Sequence, residues 1–224
     1  MHCFYSRNID KRRNIIILEN DELKHFRALR IKDDENVFVT DGNGEFYECY
    51  PNNISKNIIE LKILSSFPNH NENDYNLILA FSLISDKNRL EFIFEKGTEL
   101  GVKLFIPLKT ERTQKFKFNY ERAEAKILSS LKQCKRSVLP LLNEVSDLNY
   151  LKENYQDHEK IWGDNSSSQL INMVNKNKLF IIGPEGGFNP EEKKFLSTFA
   201  KSTSLSKAVL RTETACISIL SKYG

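Results

Sequence analysis

Apolar residues run through this chain in two patterns separated by a polar break. Near the amino terminus the runs are short. Val37-Phe38-Val39-Thr40 and Glu45-Phe46-Tyr47-Glu48-Cys49-Tyr50 flank Asp41-Gly42-Asn43-Gly44, whose residues favour tight turns. Two strand-length segments around such a turn predict a β-hairpin. Ile58 to Leu64 continues as a further strand and Asn20 to Leu29 as a short helix, so the first part reads as a small β-rich domain. Pro68-Asn69-His70-Asn71-Glu72-Asn73-Asp74 breaks the pattern and places two domains at 1–70 and 74–224. Beyond it, Leu77 to Leu83 is a continuous apolar run, as expected of a strand buried on both faces. Asp86 then predicts the cap of a helix whose apolar face is Leu90, Ile93, Phe94, Gly97 and Leu100, ended by Gly101. Val102 to Leu108 returns as a strand, and the alternation continues through Lys160-Ile161-Trp162 and Leu179 to Ile182. The second domain is therefore expected to be α/β with a mostly parallel sheet.

Two islands near the end carry the clearest candidate chemistry. Leu179-Phe180-Ile181-Ile182 empties into Gly183-Pro184-Glu185-Gly186-Gly187-Phe188, and Asn189-Pro190-Glu191-Glu192 follows as an N-cap, a first-turn proline and a near capping box. Ser204 to Leu210 reads as a second short strand, and Arg211-Thr212-Glu213-Thr214 leads into the apolar Ala215, Ile217, Ile219 and Leu220. Two strand-to-helix turns this close in sequence would lie together at the carboxyl edge of one sheet, where open α/β sheets bind ligands. No Gly-x-Gly-x-x-Gly is present, no Gly-Lys-Ser/Thr follows the loop, and Glu185 would repel a phosphate. Hydroxyls, an adenine edge or a positive centre suit these residues better. A simpler alternative makes the glycine loop a corner, Thr212 a cap and Arg211 the partner of Glu213.

Composition narrows the picture only a little. The 33 Lys and Arg against 30 Asp and Glu leave a net charge of +3, which neither demands nor excludes a nucleic-acid partner. Cys3, Cys49, Cys134 and Cys216 lack Cys-x-x-Cys spacing, so reduced thiols in a cytoplasmic protein are expected, with no metal site. No apolar run approaches the roughly 20 residues that span a bilayer, and Met1 to Arg7 lacks a signal-peptide core, so no membrane association is expected. A hydrolase would need a nucleophile motif such as Gly-x-Ser-x-Gly, and none occurs.

Gly-Pro-Glu-Gly-Gly-Phe at 183–188 followed by Leu-Arg-Thr-Glu-Thr-Ala at 210–215 resembles the cofactor-binding end of the SPOUT methyltransferases, specifically the 16S rRNA uridine-N3 methyltransferase family. Glu95 to Val102, Ile106 to Arg112 and Gln133 to Pro140 are similar to that family's middle motifs in the same order, and His25 to Arg30 to its amino-terminal signature. The resemblance implies a small PUA-like β-barrel domain followed by a SPOUT domain whose last helix is tucked into a trefoil knot. It further implies a homodimer, 16S rRNA or the small ribosomal subunit as partner, and S-adenosylmethionine as cofactor.

Under that resemblance the cofactor would be held by Ile182, Gly183, Pro184, Glu185, Gly186, Gly187, Leu205, Ser206, Val209, Leu210, Arg211, Thr212, Glu213, Thr214 and Ala215. Arg112 and Arg211 are candidates for stabilising charge on the base as its N3 proton leaves, with Glu111 as a candidate base. Contacts to RNA fall to Arg12 and Arg13 beside Lys11, to His25, Arg27 and Arg30, and to Arg136. Solvated surface charge is the alternative for Lys11 to Arg13 and for Arg27 and Arg30. Three positions depart from the family pattern: Ser206 and Lys135 stand where glycine is usual, and Gly97 where alanine is usual. Of these, Ser206 is expected to matter most, because a side chain beside an adenine loop hinders close backbone approach. The rival reading is an rRNA-binding ribosome-assembly factor that kept the fold and lost catalysis.

Overall fold

A computed structural model describes residues 1–32, 35–113, 117–167 and 177–224, which form two compact units. The first comprises Met1–Glu72 together with Leu131–Leu139. Its strands are β1 (Cys3–Tyr5), β2 (Ile9–Asp10), β3 (Ile15–Leu18), β4 (Val37–Thr40), β5 (Glu45–Ile54) and β6 (Ile59–Pro68), with one helix, α1 (Asn20–Ala28). They make one sheet in the order β1-β4-β5-β6-β3-β2. Ser6 curls that sheet on itself: its amide donates to Thr40 O at 3.1 Å beside β4, and its hydroxyl donates to Ile17 O at 2.7 Å on β3. Phe4, Leu18, Phe26, Val37, Val39, Cys49, Ile59 and Leu61 fill the interior.

The Asp41–Gly44 turn joins β4 to β5 as its sequence predicts, with the Asp41 carboxylate accepting from the Asn43 and Glu45 amides. It has a second role. The Leu139 amide donates to Gly42 O at 2.9 Å and the Gly44 amide to Ser137 O at 2.9 Å, so residues 137–139 dock on the turn. Gly42 stands at φ +72, and a Cβ there would lie 3.1 Å from Leu139 Cβ. Residues 131–139 thus join the first unit, although sequence placed them in the second.

Arg136 accounts for the docking, and its expected contact with RNA is corrected here. It is 2% exposed, and its Nε and Nη2 donate to the two Glu72 carboxylate oxygens at 3.1 and 2.7 Å. Glu72 also accepts from the Ser137 and Val138 amides. A guanidinium enclosed in this way is structural and cannot reach a phosphate.

The second unit, Asn73–Ser130 with Pro140–Gly224, carries β7 (Asn76–Ser82), α2 (Lys87–Glu99), β8 (Leu104–Leu108), most of α3 (Tyr120–Cys134), β9 (Leu141–Leu142), α4 (Leu148–Asn154), β10 (Glu159–Gly163), β11 (Asn177–Ile182), α5 (Pro190–Leu196), β12 (Lys201–Thr203) and α6 (Thr212–Tyr223). Its sheet runs β12-β10-β11-β7-β8-β9, and every pairing is parallel. The continuous apolar runs become β7 and β11 at its centre, as burial on both faces requires. Asp86 caps α2 by accepting from the Asn88 and Arg89 amides, and Gly101 ends that helix at φ +92. The final helix packs on β7, β11 and α2. One boundary is corrected: the last strand is Lys201–Thr203, not Ser204 to Leu210, since the ladder to β10 stops at Thr203. Among the described residues no helix is long and apolar enough to cross a membrane.

The departures from the family pattern rank differently once their backbone is known. Ser206 has no positive φ, and its hydroxyl accepts from the Ala208 amide at 3.1 Å, so it settles a bend without needing glycine. Lys135 is the strained position, at φ +56, where an L-residue costs about 1–2 kcal/mol. Gly97 is a matter of space: a Cβ would sit 2.5 Å from Cε1 of the fully buried Phe105. Gly97→Ala should therefore lower stability by about 1 kcal/mol, the overpacking of about 1–3 kcal/mol exceeding the roughly 1 kcal/mol gained in helix propensity. Urea unfolding checks this, with Phe105→Leu in the same chain expected to recover the loss.

Candidate active site

The residues of the two islands meet at one cleft of about 230 Å³ at the carboxyl edge of the second sheet. Ile182 ends β11 and the loop 183–187 forms one wall, turned by the Gly187 amide bonding Pro184 O at 2.8 Å, with Gly187 at φ +68. The loop then enters α5 through a full capping box: Asn189 Oδ1 accepts from the Glu192 amide and Glu192 Oε2 from the Asn189 amide. Leu205, Val209, Leu210, Thr212 and Ala215 form the opposite wall. Thr212 is no cap; its hydroxyl donates to Gly183 O at 3.3 Å and holds the start of α6 against the glycine loop. Ser206, Arg211, Glu213 and Thr214 do not line the cleft, and Arg211 stands exposed at the N-cap of α6.

A second tie between the walls comes from Arg89, which sequence reasoning did not single out. Its Nε and Nη2 donate to the Glu213 carboxylate at 2.8 and 2.6 Å, and Nη2 also reaches Glu185 Oε1 at 2.6 Å. The glycine loop, α2 and α6 are thereby joined through one guanidinium. The two halves differ in weight. Glu213 keeps 11% of its side chain exposed and Glu185 52%, so solvent screens the second pair and the first dominates. Burial pushes the Glu213 carboxyl up, but the Arg89 hydrogen bonds, a backbone hydrogen bond and the Arg89 and Arg211 charges outweigh it and hold the group below the usual range. A carboxyl depressed on folding stabilises above its ordinary value of 4.5, and that stabilisation is lost as the pH falls through its folded value. Glu213→Gln should cost about 1–3 kcal/mol at pH 7 and flatten the acid limb of stability, as read from urea midpoints between pH 7 and pH 4.

The third wall, Gly163-Asp164-Asn165, is the last residue of β10 and the two after it. Asp164 accepts from Lys193 Nζ at 2.9 Å and from the Ser166 amide at 3.2 Å. Burial raises its carboxyl, and these partners overcome that and lower it. Lys193 is the one Lys or Arg side chain lining the cleft among the described residues, and Asp164 neutralises it. Glu185 adds negative charge, while Ile182, Leu205, Val209, Leu210 and Ala215 supply apolar surface. Val209 is 81% exposed at the cleft. The arrangement suits a ligand with an apolar body and a positive centre, and it opposes a phosphate.

Arg112 and Glu111 follow β8. Arg112 Nη1 donates to Gly186 O, and the Glu111 amide donates to Glu192 Oε1 at 2.9 Å, fastening this segment to the glycine loop and α5. Arg112 lines a second cleft, which shares Pro184, Glu185 and Gly186 with the first, whereas Glu111 lines neither. The basic candidates of the first unit are exposed. Arg13 pairs with Glu60 at 3.3 Å, Arg27 donates to Ser55 O and Lys56 O, His25 packs beside Phe4 at 5.3 Å between ring centres, and Arg30 stands at φ +52. No group of three or more potential metal ligands occurs among the described residues. The four cysteines are free thiols, and burial pushes Cys3 and Cys49 up to about 12.

Comparison with known proteins decides the family. Residues 71–223 match the RNA methyltransferase domain family and residues 18–64 the RNA methyltransferase PUA domain. The chain is 31% identical over 239 residues to ribosomal RNA small subunit methyltransferase E of Aquifex aeolicus, covering 99% of this chain and 98% of the relative. The chain belongs to the ribosomal RNA small subunit methyltransferase E family. A member from Mesomycoplasma hyopneumoniae is 30% identical over 222 residues, with 95% of each chain covered. A putative methyltransferase of Legionella pneumophila, solved in complex with the bound cofactor SAM, is 26% identical and superposes with a TM-score of 0.83 over 98% of this chain and 95% of that one. The methyltransferase E fold itself recurs in the Neisseria gonorrhoeae structure, at 24% identity and a TM-score of 0.88 over 99% and 95% of the two chains. The expected architecture, a curled β-sheet unit followed by a parallel-sheet α/β unit of SPOUT type, is that of this family.

Proposed function

We propose that this chain, as a homodimer, methylates N3 of a uridine in 16S rRNA using S-adenosylmethionine. The observation that carries the proposal is the single cleft made by both islands, closed by Thr212 on Gly183 and by Arg89 on Glu185 and Glu213. Its lining fits the cofactor. Gly163 leaves room that a side chain would take from Ile182 and Leu205, both within 3.3 Å of where its Cβ would be. The cofactor supplies a methyl group activated on a positively charged sulfur.

Ile182, Leu205, Leu210 and Ala215 are assigned its apolar portions, the backbone of 183–187 its polar edge, and Asp164 a hydroxyl. Glu185 favours a positive centre nearby by simple Coulomb attraction. Arg112 stabilises the charge that gathers on the carbonyl oxygens O2 and O4 as the N3 proton passes to solvent. Arg12, Arg13, His25, Arg27 and Arg30 meet the RNA backbone.

Small-subunit rRNA, naked and assembled, incubated with isotope-labelled S-adenosylmethionine and digested to nucleosides, should yield labelled N3-methyluridine by mass spectrometry. Label on another nucleoside would overturn the N3 assignment. Tight RNA binding with no label in either substrate would favour the assembly-factor alternative.

A further inference from the structure

A third cleft opens between the starts of α2 and α3. Ser85 lines both it and the second cleft; Lys87, Leu90, Glu91 and Phe94 of α2 form one side, and Lys117, Arg122 and Ala123 complete it. Both sides leave the carboxyl edge of the sheet, since residues 83–86 follow β7 and the chain from β8 passes Arg112 before Lys117. The Phe94 ring meets Phe81 of β7 at 5.7 Å and Phe105 of β8 at 5.2 Å. Ile78, Ala80 and Ile106 point the other way along those strands and pack with Leu148, Leu151 and Leu196, so α2 and the pair α4 and α5 cover opposite sheet faces.

The charges of this cleft do not cancel. Lys87, Lys117 and Arg122 line it against one carboxylate, Glu91. Arg122 Nε donates to Glu91 Oε1, and Lys126 approaches the same carboxylate at 3.6 Å, so Glu91 is fully answered without the two other lysines. Lys87 and Lys117 are exposed and pair with no described residue. Between them the floor is apolar: Leu90 is half-buried, and Phe94 and Ala123 close the bottom. The volume, about 100 Å³, is below the ~300–1,000 Å³ of pockets that enclose a whole ligand, so the cleft seats one flat ring of a longer molecule. The first cleft opposes a phosphate, and its Lys193 is taken by Asp164. A polynucleotide nevertheless carries phosphates on both sides of any base it presents, and they need cations close by.

We infer that the third cleft seats a nucleotide flanking the one that is methylated, with its base or sugar over Leu90 and its phosphates on Lys87 and Lys117. The inference rests on the rRNA substrate proposed above. Single-stranded RNA alternates flat rings with charged phosphates, and an apolar floor between two free ammonium groups repeats that alternation. Lysine acts as a point charge and holds a phosphate without reading a base edge. The site therefore adds affinity and fixes the path of the strand, and it adds little sequence selectivity. It gives the second unit an RNA contact of its own, beside the basic residues of the first.

Lys87→Ala with Lys117→Ala should weaken binding of small-subunit rRNA about 10- to 100-fold at about 0.1 M salt and lower the slope of log affinity against log salt by about 1.4–1.8, as two lost phosphate contacts require. Neither lysine lines the first cleft, so S-adenosylmethionine affinity by calorimetry should stay within about twofold of the parent, which also reports an intact fold. Lys152→Ala with Lys194→Ala removes the same charge from α4 and α5 on the opposite sheet face and should change RNA affinity by less than about twofold, since salt screens distant charges. An unchanged salt slope in the Lys87 and Lys117 pair, or an equal loss in the Lys152 and Lys194 pair, would overturn the site; N3-methyluridine formed by the parent would leave the methyl-transfer function standing. A loss confined to the Lys87 and Lys117 pair, in a protein whose parent forms no methylated nucleoside, would keep the RNA site and remove methyl transfer.

Discussion

Replacing Glu72 by alanine should destabilise the protein by about 3–5 kcal/mol, because it strands a charged Arg136 that has nowhere to go. The two side chains are 2% and 3% exposed, and the carboxylate answers the guanidinium in two places and the Ser137 and Val138 amides as well. Part of the loss is charge and part is unsatisfied backbone, and they separate experimentally. Glu72→Gln keeps a carbonyl acceptor for the amides and loses the charge, so it should fall between alanine and the parent. Joint replacement with apolar residues, Glu72→Leu with Arg136→Met, removes the stranded charge but leaves the Val138 amide without its acceptor, while the Ser137 amide keeps His70 O at 3.2 Å, and should recover only part of the stability. Urea unfolding followed by circular dichroism gives the totals. Hydrogen exchange at the Gly44 amide, which bonds Ser137 O, tests whether the loss is local to the docked segment. A loss under about 1 kcal/mol in Glu72→Ala, accompanied by a fall in RNA affinity, would return Arg136 to the RNA surface.

What could be read from sequence was what neighbouring residues decide. The Asp41–Gly44 hairpin, the Asp86 cap, the Gly101 helix end and the Asn189–Glu192 capping box each depend on a few adjacent positions, and each formed as read. The pairing of the two islands was legible for a different reason, their shared strand-to-helix order. The pairings that sequence reasoning missed act over long separations. Arg89 lies 124 positions from Glu213, and Arg136 lies 64 from Glu72, so no local pattern marks either pair. Arg136 illustrates the risk: an arginine in a basic stretch reads as a phosphate ligand until its buried partner is known. Gly163-Asp164-Asn165 escaped notice because the strand before it was recognised and the turn after it was not. The chain's own backbone and packing make their demands at Lys135 and Gly97 and not at Ser206, whose expected effect lies in the approach of a cofactor.

Arg112→Ala should lower kcat for rRNA methylation by about 10²–10³, the usual effect of removing one preorganised donor from a developing negative charge. The guanidinium lines a cleft that shares Pro184, Glu185 and Gly186 with the first and is tied to the Gly186 carbonyl, so its position is set before any substrate arrives. That preorganisation is what would make it effective as the N3 proton departs. The tie also creates an alternative explanation, since losing it could loosen the loop that forms the cofactor wall. S-adenosylmethionine affinity separates the two: a catalytic role predicts a change of less than about threefold, and a loosened wall predicts weaker cofactor binding. Charge alone does not replace the fork, so Arg112→Lys should recover only part of the rate. Raising the pH should help Arg112→Ala more than the parent, because a higher pH populates the uracil anion that the missing arginine would have stabilised. If instead KM for rRNA rises with kcat unchanged, Arg112 contributes only binding, and the stabilisation of charge on the base must come from another group.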